Sequence, residues 1–134
     1  MDVDDLTYRV IGFSYKIHNA LGTGFIESVY ENALKIELNK VGISALQQEE
    51  LDVFYEGHRV GHFIPDLWIP KTLIIEVKAL QTIAKVHEVQ LVNYLNATGI
   101  DNGLLINFGP SVDVKRKFRK YTPTTKVERL PHAI

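Results

Sequence analysis

Cysteine is missing from all 134 residues. Its absence excludes disulfides and thiolate metal sites, leaving carboxylate, imidazole and carbonyl groups as the available metal ligands. No apolar run approaches the ~18 residues that a membrane span requires. The first residues, Met1-Asp2-Val3-Asp4-Asp5, are acidic and lack the basic-then-apolar order of a secretory signal. A cytoplasmic location with no membrane partner is the expectation. Neither charge dominates: 15 Lys+Arg against 16 Asp+Glu leave a net charge of −1, which argues neither for nor against a polyanionic partner. Repeats, low-complexity tracts and linkers are also lacking, so one domain over residues 1–134 is expected, long enough to build its own core. Hydrophobic content of 46% and charged content of 23% place the chain among globular proteins.

The charge is unevenly distributed. Residues 1–110 carry 8 Lys+Arg against 14 Asp+Glu, whereas residues 111–134 carry 7 against 2. Within that basic C-terminal segment, Lys115-Arg116-Lys117-Phe118-Arg119-Lys120-Tyr121 interleaves cations with aromatics, as phosphate-contacting segments do. Lys115, Arg116, Lys117, Arg119 and Lys120 are therefore candidate nucleic-acid contacts. The competing reading is a solvated strand that balances an acidic body.

Apolar spacing predicts a helix over 5–21, capped by Asp4 or Asp5 and ended by Gly22. A second is predicted over 25–41, with Tyr30, Leu34, Leu38 and Val41 as its buried stripe. Glu27 falls within that stripe, where a carboxylate is costly unless paired or metal-bound. Strand-like runs follow at 51–55, 60–69 and 73–79. A third helix over 81–97 places Ile83, Val86, His87, Gln90, Tyr94 and Ala97 on one face. Residues 104–108 form a continuous apolar run, read as a buried strand. The order helix, helix, three strands, helix, strand implies an α/β fold with a mixed sheet flanked by helices.

Ionised residues are rare in strands this apolar. Alternate strand residues share a face, so Glu76 and Lys78 project together while Ile75 and Val77 project the other way. A hairpin through Pro70-Lys71-Thr72 sets Ile69 against Leu73 and Asp66 against Glu76. Two carboxylates directly opposite, about 4.5–5.5 Å apart at Cβ, repel each other. A divalent cation between them would remove that repulsion.

Pro65-Asp66, nine intervening residues and Glu76-Val77-Lys78, set in this element order, resemble the PD-(D/E)XK nuclease superfamily, whose fold is restriction-endonuclease-like. Gln90-Leu91-Val92-Asn93-Tyr94 is similar to the Gln-x-x-x-Tyr motif of its RecB-like branch. Gly24-Phe25-Ile26-Glu27-Ser28-Val29-Tyr30 is similar to the signature of the small GxxExxY proteins. That narrower resemblance runs from about Ile11 to Tyr121, taking in the segments from His18 to Gly22 and from Leu105 to Gly109. Thr23 departs from it, standing where members commonly have proline.

The resemblance implies Asp66 and Glu76 as metal ligands, with the Val77 carbonyl beside them and Glu27 bound directly or through water. Hard oxygen donors suit Mg²⁺, with Mn²⁺ as a substitute. Lys78 is implied to position the attacking water and offset transition-state charge. Gln90 and Tyr94 are implied as site support. The function expected is a Mg²⁺-dependent nuclease acting on phosphodiester bonds, in DNA ahead of RNA, and dimeric because so small a chain offers little surface to grip a duplex. The alternatives are a binding module on the same fold that does not cleave, or an RNA-directed nuclease. His87 is open between a site role and simple partial burial. His18 is expected to tie the first helix to the Gly22–Gly24 turn, Tyr30 to orient Glu27 or pack in the core, and Phe63 and Trp68 to be core.

Overall fold

The computed structural model describes residues 1–120 and the short strand 127–128. The first helix, α1 (Val3–Leu21), begins two residues earlier than its apolar pattern implied, because Asp2 caps it by accepting a hydrogen bond from the Asp5 amide at 2.9 Å. Gly22 ends it with φ +76°, in the left-handed region where a side chain would be strained. The second helix, α2 (Glu27–Lys40), buries Tyr30, Glu31, Leu34, Glu37 and Leu38. Val41, assigned to the buried stripe from sequence, lies beyond the helix and is 40% exposed. The third helix, α3 (Lys85–Thr98), starts late and leaves Val86 exposed. Its buried positions are Leu91, Leu95, Ala97 and Thr98.

Two sheets form where one was expected. The larger contains β1 (Leu46–Gln47), β4 (Leu67–Ile69), β5 (Leu73–Lys78), β6 (Asn102–Phe108) and β7 (Val112–Phe118), in the order β1-β4-β5-β6-β7. Its β5–β6 pair is parallel and joined through α3, while the other pairs are antiparallel. The smaller is the hairpin of β2 (Leu51–Tyr55) and β3 (His58–Phe63), with β8 (Val127–Glu128) on its other edge. The run 60–69 is thus not one strand. Pro65 supplies no N–H and biases Ile64 against continuing the ladder, and the chain crosses from one sheet to the other at 64–66. The rest of the basic segment after Lys120, apart from the backbone of 127–128, lies outside the described residues.

The sheet is covered on both faces, as a parallel pair at its centre requires. Leu73, Ile75 and Val77 point into a core with Leu6, Val10, Ile17, Leu34 and Leu38 of α1 and α2. Ile74 and Leu105 point the other way, into a second core with Trp68, Leu91, Leu95, Leu51 and Phe63. Trp68 and Phe63 are core residues, as expected. Burying each such side chain stabilises the fold by about 1.5–3 kcal/mol, and β5 contributes to both cores. Its C-terminal end therefore rests on a stiff support.

Candidate active site

The hairpin between β4 and β5 has the register read from sequence: Leu67 faces Ile75, Trp68 faces Ile74 and Ile69 faces Leu73. The turn closes with the Thr72 amide donating to the Ile69 carbonyl at 2.9 Å. Continued by one pair, that register brings Asp66 opposite Glu76. Asp66 lies just before β4, where the ladder has ended, and its Oδ2 accepts the Val77 amide at 2.7 Å. A strand residue points its carbonyl to the same side as its N–H, so the Val77 carbonyl is turned toward Asp66 as well.

Glu76 shares the α3 side of β5 with Ile74. Its Oε1 is shielded from solvent and has no hydrogen-bond partner among the described residues. Burial, and then the neighbouring Asp66 carboxylate, push its carboxyl up to about 9. The nearby Lys78 ammonium pulls the other way but does not prevail. No carboxylate among the described residues lies within ion-pair distance of Lys78. A same-face Glu76–Lys78 ion pair therefore does not account for these residues.

The α2 carboxylate nearest Asp66 is Glu31, one turn beyond Glu27. Gln48 bridges the two: its Nε2 donates to Glu31 Oε1 at 2.9 Å and to Asp66 Oδ1 at 3.2 Å. Gln47 donates to the other Glu31 oxygen at 2.6 Å. Burial, then the charge of Asp66, hold the Glu31 carboxyl above its ordinary range, against the two glutamines that lower it. Gln48 achieves this from a backbone φ of +56°, a conformation that costs a non-glycine residue energy and is often found at functional sites. Its amide also donates to the Asp66 carbonyl at 3.1 Å. Sequence reasoning missed Glu31, Gln47 and Gln48. The only available signal was Glu31 beside Tyr30 in the motif, since glutamines before a strand have no periodic pattern.

Glu27 is not among the buried carboxylates of α2, Glu31 and Glu37; it is half-exposed in the first turn. It lines an open cavity of about 620 Å³ together with Glu31, Gln48, Asp66, Ala79 and the exposed Phe25 and Ile26. Glu76, Lys78 and Gln90 do not line that cavity; Glu76 meets it through Asp66. Gln90 is exposed on α3. Tyr94, one turn on, stacks on Phe63 with ring centroids 4.0 Å apart. Burial, then the charges of Glu76 and Asp66, raise its phenol above the ordinary range.

Other residues have structural roles. His18 Nε2 bonds the Gly109 carbonyl at 2.9 Å, so it ties α1 to the end of β6 and not to the Gly22–Gly24 turn. Tyr30 donates to the Gly22 carbonyl at 2.6 Å and stacks on Phe108, so it packs and closes the turn and does not orient Glu27. His87 Nδ1 accepts the Ala84 amide at 3.2 Å and caps α3. Asn107 clamps Leu80 through its amide at 2.8 Å and its carbonyl at 2.9 Å, which fixes the chain just beyond Lys78.

The basic residues lie on and after β7, two strands from β5. Most are already paired: Arg116 with Asp4 at 2.8 Å, Lys117 with Glu88 at 2.6 Å, Arg119 with Asp101 at 2.9 Å and, more loosely, Lys115 with Asp113 at 4.0 Å. Arg116 also stacks over Phe118. The structure thus gives these cations internal partners that a phosphate would have to displace. Lys120 has no ion pair with a described residue.

The donor set fits a hard divalent cation. It offers two adjacent carboxylates, one with a shielded and unpartnered oxygen, and a backbone carbonyl turned toward them. No three His, Asp or Glu side chains among the described residues are gathered as a closed metal cage. Mg²⁺ does not require one, since it commonly binds one or two carboxylates and keeps its remaining positions for water and substrate phosphate.

Comparison with known proteins agrees with this geometry. No curated protein matches the chain. Among solved structures, the crystal structure of SSO0001 superposes with a TM-score of 0.54 at 20% identity, covering 71% of this chain and 50% of that one. The chain thus spans about half the length of that protein, and the likeness concerns the fold, a mixed sheet flanked by helices of the restriction-endonuclease type. No helix among the described residues is long and apolar enough to cross a membrane. The sequence pattern of the PD-(D/E)XK nuclease superfamily, whose members hydrolyse phosphodiester bonds and generally use divalent metal ions, matches residues 4–121. The chain belongs to the PD-(D/E)XK nuclease superfamily.

Proposed function

We propose that this chain is a Mg²⁺-dependent nuclease that hydrolyses phosphodiester bonds in DNA, as a cytoplasmic homodimer of single-domain subunits in the GxxExxY branch. The observation that carries the reading is the Asp66–Glu76 pair: two carboxylates held together, with no ion-pair partner and with one shielded oxygen unpartnered among the described residues. A structural role would favour an apolar pair at that register, because burying unpaired carboxyl groups is costly.

Asp66, Glu76 and the Val77 carbonyl would hold the cation, with Glu31 and Glu27 on its α2 side. When bound, Mg²⁺ supplies charge that polarises the scissile phosphate and lowers the pKa of a coordinated water. Lys78 presents its ammonium to the attacking water and to the negative charge that develops on the phosphoryl oxygens. Gln48 keeps Glu31 and Asp66 at a fixed separation. Tyr94 would support the site by donating its phenol hydrogen to an anionic oxygen. Attack by water forms the new P–O bond, the bond to the leaving sugar oxygen breaks, and that oxygen takes up a proton.

Incubating the purified protein with single- and double-stranded DNA and RNA in Mg²⁺, in Mn²⁺ and in EDTA tests this directly. Cleavage of DNA that EDTA abolishes is expected. Binding without cleavage in either metal would sink the nuclease reading and favour a binding module, and cleavage of RNA alone would redirect the substrate.

A further inference from the structure

A second cavity, of about 520 Å³, lies between the β2–β3 hairpin and α3. It falls within the roughly 300–1,000 Å³ of small-molecule pockets. Its position in the hairpin is unusual. Gly61 sits inside β3, pairs with Val53, and lies two residues along from the buried Leu51–Phe63 pair, so it faces α3. A Cβ built at Gly61 meets nothing within 4 Å, and its φ is not left-handed. Neither backbone geometry nor crowding therefore requires glycine there. Glycine inside a strand weakens it and often marks a close approach by a ligand. The adjacent register shift leaves Val60 as a bulge residue, 62% exposed at the pocket, and bulges re-aim side chains beside active sites.

The walls favour a flat heterocycle. Phe63 and Tyr94, stacked at 4.0 Å, form part of the lining, the Asn93 side chain provides a donor and an acceptor, and Asn96 offers its Nδ2 donor while its Oδ1 accepts the Lys120 amide at 2.9 Å. Tyr94 stacks on Phe63, and Phe63 lies three residues before Asp66, so this wall adjoins the carboxylates along the chain. Across α3, Asn93 and Asn96 also line a groove with Lys85, Lys120 and the Lys117–Glu88 ion pair, where Lys85 and Lys120 offer cations to a sugar–phosphate backbone.

We propose that this pocket receives one unpaired nucleobase of the substrate strand, seated over Gly61 against the Phe63–Tyr94 stack, while a neighbouring phosphate lies at Asp66 and Glu76. The proposal rests on the nuclease reading for the role of that phosphate. It implies that the strand is single-stranded, or has a base turned out, at the point of cleavage, because a base stacked in a duplex cannot enter.

Gly61→Leu would fill the space that glycine leaves open, and Gly61→Ala would leave most of it. Single-stranded DNA oligonucleotides carrying 2-aminopurine at successive positions, bound in EDTA, report stacking as loss of fluorescence. Wild type and Gly61→Ala should quench one position strongly and Gly61→Leu should not, with all three giving the same circular dichroism spectrum. In Mg²⁺, an abasic residue at that position should lower wild-type kcat/KM about tenfold, the scale of one base stacked on an aromatic, with no further loss in Gly61→Leu. Equal quenching by wild type and Gly61→Leu, or no position-dependent quenching at all, would overturn the pocket. Quenching that depends on Gly61 in a protein that cleaves nothing would uphold the pocket while the hydrolytic reading fails.

Discussion

At the scale of single residues, Glu76 couples the site to pH. Its carboxyl titrates near 9 in the fold and near 4.5 when unfolded, so between those values the folded state holds the extra proton. Stability of the metal-free protein should therefore fall as pH rises through that window and level off above it. Thermal melts in EDTA between about pH 5 and pH 9 should show the fall, and Glu76→Gln should remove most of it. Glu31, also raised, leaves a smaller slope of the same sign. An unchanged slope in Glu76→Gln would contradict this assignment. Lys78 tests chemistry apart from folding. Lys78→Ala should melt like wild type but cleave at least ~10²-fold more slowly, the scale of losing one preorganised electrostatic group. Lys78→Met, which keeps the stem, should match it, so lost packing is not the cause. Asp66, Glu76 and Lys78 were legible in the sequence because charge stands out in an apolar strand. Glu31 and Gln48 were not, because Glu31 lies one turn along the same helix face as Glu27, so periodicity does not separate the two, and a left-handed φ at glutamine leaves no mark in composition.

At the scale of elements, the end of β5 is held by β6. Asn107 satisfies both backbone groups of Leu80, and Gly109 is needed because a Cβ there would lie 2.4 Å from the Leu80 carbonyl oxygen. Asn107→Ala leaves those groups unpaired at a cost of about 1–3 kcal/mol, and frees the chain next to Lys78. A lower melting temperature and a lower kcat should appear together. Loss of stability with kcat intact would show that the clamp supports the fold alone. Helices and the β4–β5 register followed from periodicity and turn residues. The break at Ile64-Pro65-Asp66 was hidden inside one apolar run, and only the different partners of β3 and β4 separate the two strands. On β7, internal ion pairs occupy most of the basic residues, with Lys117 and Glu88 the shortest at 2.6 Å. Exposed Lys115 and Lys120 are the ones open to phosphate. Lys115→Gln with Lys120→Gln should flatten the log–log salt dependence of single-stranded DNA binding by about 0.7 for each phosphate no longer neutralised. An unchanged slope would assign the segment to balancing the acidic body.

At the scale of the molecule, two cores grip a central parallel pair from opposite faces, and the candidate site sits where β4 ends and β5 continues. Asp66 then reaches α2 through Gln48 on one side and the Val77 amide beside Glu76 on the other. This arrangement depends on β5 running on past the end of β4, which no local pattern encodes, although the element order correctly implied a mixed sheet between helices. The proposed homodimer predicts twice the monomer mass by light scattering in dilute solution; a monomer that still cleaves would remove the dimer from the account. The central claim is that Asp66 and Glu76 together form a divalent cation site. A crystal soaked in Mn²⁺ and measured at the manganese absorption edge tests it most directly. An anomalous peak between the Asp66 and Glu76 carboxylates, absent in Asp66→Asn, is the predicted result. No peak there in well-ordered wild-type crystals, or one unaffected by Asp66→Asn, would contradict it.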